Sequence, residues 1–407
     1  MISFNTVTRP PISGAPVRVL WFVTHPIQYQ VPVFRVLATV PEVDLEVVYL
    51  RHAGGEPKFD KEFGHSFEWD IPLRDGYRWS FCCSQQVSLL GLWTDVKALR
   101  RLLKDSGAEV VVISGWGQKR YLEVVAAVRL LGMPNVFLSE STLEDHPRSS
   151  LRRLGKRLFF RFLTAKRDHA LASGIRSRNY LISAAGFSPS CVHPYPYCAN
   201  TEITDSAWNH YDELRSSSRM RLGIPNGRLV YLFVGKLIRK KNPVGLIRAF
   251  LMADLDADLI LVGSGELAAA VHKAAKADTR IHIVGFVNQT DLCRYYAASD
   301  VVVLPSIASE TWGVVINEAM AMGCAAVVSD RVGCVDDLIR GKDTGLVFDP
   351  VDDCALVRAL VSSANPSQVS HWRSNARAVV LAHTPQRAAE GVRIAVTAAA
   401  KSNGEIR

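Results

Sequence analysis

Residues 304–330, LPSIASETWGVVINEAMAMGCAAVVSD, form the most informative segment of the chain. An apolar run ends early in the segment, a loop containing Glu310 follows, and a helix is predicted from about Gly313 to Met322. Gly323 suits the left-handed position that often ends a helix, and a second apolar run starts directly after it. A strand, a helix and another strand in succession predict one β-α-β unit of a parallel sheet.

The same alternation of apolar runs and helical patterns continues through both halves of the chain. Continuous apolar runs are typical of strands that are buried on both faces. Such runs predict strands at 16–24, 43–50, 109–114, 135–139, 228–235, 258–265, 281–286, 300–306 and 324–330. Because helices are predicted between them, the sheets are expected to be parallel and covered on both sides.

A proline-rich stretch, CVHPYPYCAN (191–200), interrupts the alternation and is interpreted as a linker. The sequence therefore predicts two Rossmann-like α/β domains, 17–195 and 201–384, whose parallel sheets face each other across a cleft. The terminal helix predicted over 385–401 is a candidate to pack back on the first domain. Ligands of such sheets bind beyond the carboxyl ends of the strands, so a ligand is expected between the domains.

The composition is typical of a folded protein with an anionic partner. The 407 residues are 48% hydrophobic and 21% charged, with a net charge of +9. This excess favours nucleotide phosphates, acidic lipids or nucleic acid without choosing among them. The cysteines include no C-x-x-C pair, which disfavours a zinc site. No apolar run is long enough to cross a bilayer and the first sixteen residues lack the apolar core of a signal peptide, so a cytoplasmic location is expected.

Two carboxylates in the segment 304–330 are spaced to hold an elongated ligand. Glu310 and Glu318 are separated by about 12 Å if the intervening residues are helical, at 1.5 Å per residue. They are therefore too far apart to share one proton or one metal ion. The free N–H groups of the helix start lie between them and form an anion site. A carboxylate, exposed amides and a second carboxylate match the hexose, diphosphate and ribose of a sugar nucleotide.

Basic and glycine-rich loops precede this segment. Within 233–250, Lys236 and Lys241 flank the loop between a predicted strand and a helix. Two ammonium groups would offset the charge of a diphosphate and stabilise it as a leaving group. Gly263 and Gly265 follow the next strand, where glycine permits close backbone approach to a nucleotide.

The second half resembles the donor-binding domain of glycosyltransferase family 4, the retaining enzymes of GT-B fold. Each matching motif is weak alone, and the combination in this order is specific. The matching positions are Gly235, Lys236, Lys241, Gly263, Gly265, Gly285, Phe286, the DVVVLPS run (300–306), Glu310 to Glu318, and GLVFDP (345–350).

The resemblance implies a role for each of these positions. Lys236 and Lys241 would bind the donor diphosphate and, together with Glu310 at the hydroxyls of the donor sugar, serve catalysis. Glu318 would hold the ribose. Most family members carry Arg in place of Lys236, so the charge is kept while the bidentate fork is lost. The implied donor-binding set comprises Gly235, Lys236, Lys241, Gly263, Gly265, Phe286, Val287, Glu310, Thr311, Trp312, Gly313, Val314 and Glu318.

The first half resembles a subgroup of the same family that opens with His-Pro-Ile-Gln-Tyr, here within THPIQYQVPVFRVLA (24–38). The resemblance places His25, Gln28 and Trp116 on the acceptor side. Many relatives carry a catalytic His after the strand that this chain follows with Glu140. Either Glu140 or His25 takes part of that role, or the leaving phosphate itself accepts the proton of the acceptor.

The resemblance implies a hexosyltransferase that retains the anomeric configuration. No metal and no other cofactor are expected, since the two lysines and the helix start would neutralise the leaving group, and an Asp-x-Asp motif for a divalent metal is not expected. The expected donor is a UDP- or GDP-sugar. The expected acceptor is a carbohydrate, lipid-linked or small-molecule hydroxyl, in polysaccharide or glycoconjugate biosynthesis. Two alternatives stay open: a nucleotide-sugar epimerase of the same fold, and a catalytically silent sugar-nucleotide-binding protein.

The stretch 148–168, RSSLRRLGKRLFFRFLTAKRD, is basic and partly amphipathic. It is interpreted either as a solvated helix face or as a peripheral contact with the inner membrane surface, because anionic headgroups attract such helices. Nucleic acid is not an expected partner, since no stacking aromatics or known binding motif accompany the charge.

Overall fold

The computed structural model describes residues 15–51, 58–60, 65–82, 92–143, 159–160, 163–352 and 354–404. These residues belong to two compact units. The described residues of the first unit fall within 1–55, 72–196 and 385–407, and those of the second within 56–71 and 197–384.

Parallel strands and connecting helices build the first unit, which includes every element before residue 197 except the two short strands within 56–71, which belong to the second unit. In chain order, the elements before residue 197 are β1 (Val17–Val23), α1 (Val31–Thr39), β2 (Val43–Tyr49), β3 (Lys58–Asp60), β4 (His65–Phe67), β5 (Trp79–Phe81), α2 (Leu92–Asp105), β6 (Val110–Ile113), α3 (Lys119–Leu130), β7 (Asn135–Ser139), β8 (His169–Ala172), α4 (Ile175–Ser183) and β9 (Val192–Pro194). Seven of these strands pair in the order β5-β2-β1-β6-β7-β8-β9, and each pairing is parallel, whereas β3 and β4 form a separate antiparallel pair.

The second unit repeats this architecture with six strands. In chain order its elements are α5 (Thr201–Trp208), α6 (Tyr211–Leu222), β10 (Leu229–Val234), α7 (Pro243–Ala253), β11 (Ala257–Val262), α8 (Ala268–Ala275), β12 (Ile281–Gly285), α9 (Gln289–Ala298), β13 (Val301–Leu304), α10 (Val314–Ala321), β14 (Ala325–Ser329), β15 (Gly345–Phe348), α11 (Ala355–Ser362) and α12 (Pro366–Val380). The strands pair in parallel in the order β12-β11-β10-β13-β14-β15. The prediction of two α/β domains with parallel sheets is confirmed.

The terminal helix α13 (Pro385–Gly404) belongs to the first unit. It packs against α1, β8 and β9. A glycine permits this close packing, because a Cβ atom at Gly391 would lie 1.7 Å from the carbonyl oxygen of Pro194. The chain therefore returns to its first sheet after completing the second.

The division into units departs from the predicted domains in the stretch 56–71, which the sequence assigns to the first domain and the structure to the second unit. Hydrogen bonds to the start of α9 account for the difference. The side-chain amide of Asn288 donates to the carbonyl oxygen of Glu68 at 2.7 Å, and the backbone N–H of Thr290 donates to Asp70 Oδ2 at 3.1 Å. A carboxylate at a helix N-terminus is favourable, and such a contact has no periodic sequence signal.

Strand order fixes where a ligand is expected on each unit. In the second unit the chain moves outward from β10 in one direction through β11 and β12, and in the other through β13, β14 and β15. The order reverses in the same way between β1 and β6 of the first unit. Ligands of such sheets bind beyond the carboxyl ends of the strands at these reversal points. The loops after β10 and β13, and those after β1 and β6, are therefore the places to look for a site.

No helix within the described residues combines the length and the apolar character that crossing a bilayer requires.

Candidate functional site

The loops that follow β10 and β13 bring the predicted lysine and carboxylate together. The ammonium group of Lys241 forms an ion pair with Glu310 Oε1, and the hydroxyl of Ser306 donates to Glu310 Oε2 at 2.6 Å. The two charged side chains are 16% and 12% exposed, so the pair is partly shielded from water. The backbone also joins the two loops, because Ile307 N–H donates to the carbonyl oxygen of Lys240 at 2.9 Å.

This arrangement leaves Glu310 held at both oxygens and Lys241 held at the carboxyl edge of the sheet. Ser306 is fully buried, and its own carbonyl oxygen accepts a hydrogen bond from Ser329 Oγ at 2.6 Å. The loop that contains Glu310 is therefore held to the end of β14. A cation and an anion that are already paired can exchange partners with a ligand that carries phosphate and hydroxyl groups, since the ammonium then faces phosphate and the carboxylate accepts from hydroxyls. Ser306 and Ser329 were not predicted from the sequence as parts of this site.

Glycine residues let the ends of β10, β11 and β12 approach one another. Gly235 N–H donates to the carbonyl oxygen of Val262 at 3.0 Å, and Gly263 N–H donates to the carbonyl oxygen of Gly285 at 2.7 Å. A Cβ atom on Gly263 would lie 1.9 Å from the carbonyl oxygen of Gly235. The loop with Lys236 and the loop with Gly265 therefore meet backbone to backbone. The close approach of Gly263 and Gly265 to a nucleotide stays a prediction.

Replacing Gly263 by alanine should destabilise the second unit by about 3 kcal/mol, because the added methyl group collides with backbone and the residue has a positive φ of 144°. The matched control is Gly223→Ala, which also has a positive φ but open space around its Cβ position, and should cost about 1 kcal/mol. Urea unfolding measures both. Equal losses in the two variants would contradict the steric account.

The start of α10 lies directly after the loop that contains Glu310. Glu310 N–H donates to the carbonyl oxygen of Arg331, and Gly333 N–H donates back to the carbonyl oxygen of Glu310, each at 2.9 Å. This pairing fixes the exposed Thr311 and the N-cap residue Gly313, from which the helix proceeds at Val314. The first N–H groups of a helix have no partner within it, so an anion-binding end is positioned beside Glu310.

Trp312 serves packing through its side chain. The indole is 3% exposed, stacks on Tyr197 with ring centroids 5.3 Å apart, and donates from Nε1 to Asn317 Oδ1 at 2.7 Å. Asn317 in turn donates to the carbonyl oxygen of Tyr197 at 3.0 Å. Any contact of Trp312 with a donor would therefore come from its backbone. Tyr197 was missed because it is distant in sequence, and Asn317, five residues from Trp312, was missed because it has no motif of its own.

Glu318 lies one helix turn further into α10 and is held by a buried tyrosine. Tyr296, on α9 and 1% exposed, donates its hydroxyl to Glu318 Oε2 at 2.6 Å. Burial raises the pKa of Glu318 to about 7, and the hydrogen bond from Tyr296 lowers it only in part. The carboxyl group therefore changes charge near neutral pH. Burial and the Glu318 carboxylate also raise the pKa of Tyr296 well above its usual value, so this phenol remains a donor.

The remaining predicted donor residues lie in two loops of the same sheet edge. Gly265 follows β11, and its carbonyl oxygen accepts from Ala268 N–H at the start of α8 at 3.0 Å. Phe286 and Val287 follow β12 and are half-buried. The structure thus brings the whole predicted donor set to the carboxyl edge of the second sheet, from the ends of β10 to β13.

A protein-family model matches part of the second unit. The model described as "Glycosyl transferases group 1" matches residues 215–379. These residues form a glycosyltransferase group 1 domain. The predicted motifs from Gly235 to GLVFDP (345–350) lie inside it.

Several curated proteins that are similar to this chain are named glycosyltransferases. The chain is 32% identical over 230 residues to "D-inositol 3-phosphate glycosyltransferase 1" of Catenulispora acidiphila, covering 52% of this chain and 53% of that protein. Two further relatives named D-inositol 3-phosphate glycosyltransferase, of Arthrobacter and Thermomonospora curvata, are matched over 34% and 60% of their length. The chain thus spans about half the length of these relatives.

Solved structures share the fold over nearly the whole chain. A glycosyltransferase from Rickettsia africae has a TM-score of 0.69 at 15% identity, covering 96% of this chain and 97% of that one. Anabaena Alr3699/HepE in complex with UDP and glucose has a TM-score of 0.64 at 17% identity, covering 96% and 99%. The predicted GT-B fold is thereby confirmed.

In the first unit, the predicted His25 and Glu140 lie around a buried tyrosine that the sequence did not single out. His25 is exposed, and its Nδ1 is 2.9 Å from the hydroxyl of Thr24. Thr24 N–H donates to the hydroxyl of Tyr121 at 3.2 Å. Burial raises the pKa of Tyr121, and the charge of Glu140 raises it further. One polar cluster therefore includes the ends of β1 and β7 and the start of α3. Gln28 lies in the loop after β1 and is half-buried.

Trp116, predicted on the acceptor side, packs into an aromatic cluster of the first unit. Its ring contacts Phe137, Phe160 and Tyr180, with centroids 6.1, 4.7 and 6.2 Å away. The residue follows β6 and adjoins the hydrophobic core. A side chain with these neighbours stabilises the unit, and this is the role that the structure supports.

Trp116→Ala should therefore lower the free energy of unfolding by about 3 kcal/mol, since large aromatic truncations in packed surroundings cost about 3–5 kcal/mol and this ring is only partly buried. His25→Ala, in the exposed loop after β1, should change it by less than about 0.5 kcal/mol. Urea unfolding with the two variants side by side decides the matter. An unaltered Trp116→Ala protein would assign the ring to ligand binding instead.

The basic stretch 148–168 lies mostly outside the described residues, and its two interpretations stay predictions. Among the described residues, no group of three or more His, Cys, Asp or Glu side chains is arranged to hold a metal ion. The expectation that the sequence has no Asp-x-Asp motif is wrong, because Asp254, Asp256 and Asp258 have this spacing. They precede or begin β11, at the opposite edge of the sheet from Glu310.

Proposed function

We propose that this protein transfers a hexose-type sugar from a nucleoside diphosphate sugar to a hydroxyl group of an acceptor, with retention of the anomeric configuration and without a metal ion. The observation that carries the proposal is the placement of Lys241, Glu310 and Glu318 around the start of α10, within a glycosyltransferase group 1 domain. An ammonium group, two carboxylates and free helix amides offer partners to every polar part of such a donor.

Each part of the donor has a partner in this proposal. Lys236, Lys241 and the first amides of α10 bind the diphosphate. Glu310 accepts from the hydroxyls of the sugar, and Glu318 accepts from those of the ribose. The half-buried loop with Phe286 and Val287 contacts the base. The UDP-glucose complex of the Anabaena protein, which shares this fold, supports a uridine nucleotide as the first donor to test.

The reaction needs charge neutralisation at the leaving group more than it needs a strong base. The acceptor oxygen forms a bond to the anomeric carbon, the bond from that carbon to the diphosphate oxygen breaks, and the proton of the acceptor passes to the departing phosphate. Lys241 stabilises the added negative charge as it develops, which is the effect that preorganised cations contribute to catalysis. Glu310 is released from its ion pair by the same exchange and orients the sugar.

The acceptor is proposed to bind to the first unit, at the cluster of His25, Gln28 and Glu140. The names of several curated relatives make D-inositol 3-phosphate a reasonable first acceptor, and carbohydrates and lipid-linked saccharides complete the set. A role in polysaccharide or glycoconjugate assembly, a cytoplasmic location and a peripheral membrane contact through 148–168 belong to the same proposal.

The test is product analysis with radiolabelled UDP- and GDP-sugars and a panel of these acceptors, after a thermal-shift screen has chosen the nucleotide, since a ligand that binds the folded state raises its melting point. Transfer predicts that label moves to an acceptor. Label that changes epimer would support an epimerase instead, and binding without any turnover would support a silent sensor. The curated relatives favour transfer.

Transfer should continue at an unchanged rate in excess EDTA, because Lys236, Lys241 and the helix amides are proposed to neutralise the diphosphate. The measurement is the initial rate with and without chelator. A loss of rate that manganese or magnesium restores would contradict the metal-independent mechanism.

A further inference from the structure

A cavity lies at the edge of the second sheet where its strands begin, opposite to the edge that carries Lys241 and Glu310. It has a volume of about 490 Å³ and is lined by Leu229, Ala257 and Asp300, which stand at or just before the first residues of β10, β11 and β13. Lys241 and Glu310 follow the carboxyl ends of β10 and β13, so the two places are at opposite edges of one sheet. The volume falls within the range of roughly 300–1,000 Å³ typical of small-molecule sites.

Three guanidinium groups converge on a single carboxylate beside this cavity. Asp300 accepts from Arg215 at 2.7 Å, from Arg219 at 2.9 Å and from Arg373 at 2.8 Å. Asp300 and Arg219 are almost fully buried, whereas Arg215 and Arg373 are about a quarter exposed and line the cavity. One negative charge therefore stands against three positive charges where water has limited access.

A fourth guanidinium group lies on another wall. Arg228 Nη2 is 3.0 Å from Asp256 and its Nε is 2.8 Å from Asp258. The side chain of Asp256 is 92% exposed, so that pair is weak and a ligand anion can replace it. The charged lining residues are Arg215, Arg228, Arg373, Asp256 and Asp300, a net charge of +1. Behind the lining, the charges of Arg219 and Asp258 cancel, so the local total stays +1.

The guanidinium groups are fixed in place and keep donors to spare. Arg373 donates to the carbonyl oxygen of Gly323 at 2.8 Å, to Asp300, and to the hydroxyl of Tyr211 at 2.5 Å. These bonds use three of the five N–H groups of a guanidinium. A planar guanidinium that is oriented by other contacts and retains free donors is well suited to a phosphate, because two phosphate oxygens can accept from it side by side.

We propose that this cavity, defined by Arg215, Arg228 and Arg373, binds a small phosphate-bearing anion at a site separate from the donor site. The ligand is either inorganic phosphate or a phosphorylated sugar, since both offer a dianion, and the local charge is +2 once the exposed Asp256 has been displaced from Arg228. The exposed hydroxyl of Ser370 and the backbone of Gly227 stand on the cavity wall, where the remainder of a sugar phosphate would lie.

The test is calorimetric titration of the full chain with inorganic phosphate and, separately, with glucose 6-phosphate, at constant ionic strength and with UDP present to occupy the donor site. Arg228→Gln removes one cation, and Ser370→Phe fills the cavity from an exposed helix position without removing charge. Arg248→Gln, on the exposed face of α7, is the control for loss of one positive charge elsewhere in the domain.

Arg228→Gln and Ser370→Phe should each weaken binding of the better anion by about tenfold or more, while Arg248→Gln binds like the wild type. Tighter binding of glucose 6-phosphate than of phosphate assigns the cavity to a phosphorylated sugar, and equal binding assigns it to free phosphate. The proposal is overturned if neither anion binds, or if both cavity variants bind as the wild type does. Because the variants leave Lys241 and Glu318 intact, this result is independent of the proposed transfer reaction.

Discussion

Lys241→Ala should lower the rate of sugar transfer by about 10²–10³-fold, the loss typical of removing one preorganised group that stabilises developing charge. The ammonium group pairs with Glu310 in the absence of ligand and is only 16% exposed, so it acts where water screens little. Its loss also leaves the partly buried Glu310 without its cation, which makes the site repel a diphosphate. Initial rates at saturating donor measure the effect on catalysis.

Arg239→Ala is the matched control for this substitution. Arg239 lies in the same loop and also carries a positive charge, but its side chain is exposed and it is not part of the Glu310 ion pair. We expect its rate to stay within about threefold of the wild type, as is usual for surface substitutions worth less than about 0.5 kcal/mol. A similar fall in both variants would show that general loop charge, and not the Lys241–Glu310 pair, governs the reaction.

Nucleotide affinity should rise with pH through about 7, because Glu318 must be a carboxylate to accept from both ribose hydroxyls and burial raises its pKa to about 7 in the free protein. Between pH 8 and pH 6 the affinity should fall by about tenfold, the factor expected when one required group gains a proton. In Glu318→Gln this dependence should disappear, and the affinity at pH 8 should be lower by about tenfold or more. Calorimetric titration with the nucleotide at several pH values measures this.

Tyr296→Phe tests the origin of this pH dependence. The hydroxyl of Tyr296 donates to Glu318 and lowers the pKa of the carboxyl group. Without it the pKa should rise further, so the midpoint of the affinity curve should move to higher pH while the curve keeps its shape. A midpoint that stays in place would contradict the assignment of the titration to Glu318.

The same raised pKa has a consequence for stability. The folded protein holds the proton on Glu318 more tightly than the unfolded chain does, because folding raises the pKa of this group from 4.5 to about 7. Its contribution to stability is therefore fully present below pH 4.5 and is lost as the pH rises through about 7. Glu318→Gln cannot ionise, so at pH 8 it should be more stable than the wild type, by up to about 3 kcal/mol. This stabilised but weakly binding variant would separate the role of Glu318 in function from its role in folding.

Much of the fold could be predicted because strands of a parallel sheet are buried on both faces. Runs such as VVVI in β6 and VVVL in β13 are continuously apolar for that reason, and helices with their own periodicity separate them. Gly263 could be singled out as a position that needs glycine, and the structure shows its backbone close to the carbonyl oxygen of Gly235, while its approach to a nucleotide stays a prediction. Lys241 and Glu310 could be expected at one edge of the sheet because the carboxyl ends of neighbouring parallel strands meet there, and their roles stay predictions.

Contacts between residues far apart in the chain account for the rest. Nothing near Trp312 indicates that Tyr197 stacks on its indole, and nothing near Glu318 indicates that the hydroxyl of Tyr296 donates to it. Asp70 at the start of α9 is a third case, since it is separated from Thr290 by more than half of the chain. Such contacts arise from how helices pack on the sheet, and no local periodicity encodes them.

A crystal structure of the chain with UDP or GDP, whichever the thermal-shift screen selects, tests the central claim most directly. The account predicts the diphosphate within hydrogen-bonding distance of Lys241 Nζ and the start of α10, and the ribose hydroxyls on the carboxylate of Glu318. A nucleotide bound elsewhere, with the Lys241–Glu310 ion pair intact and Glu318 untouched, would contradict it.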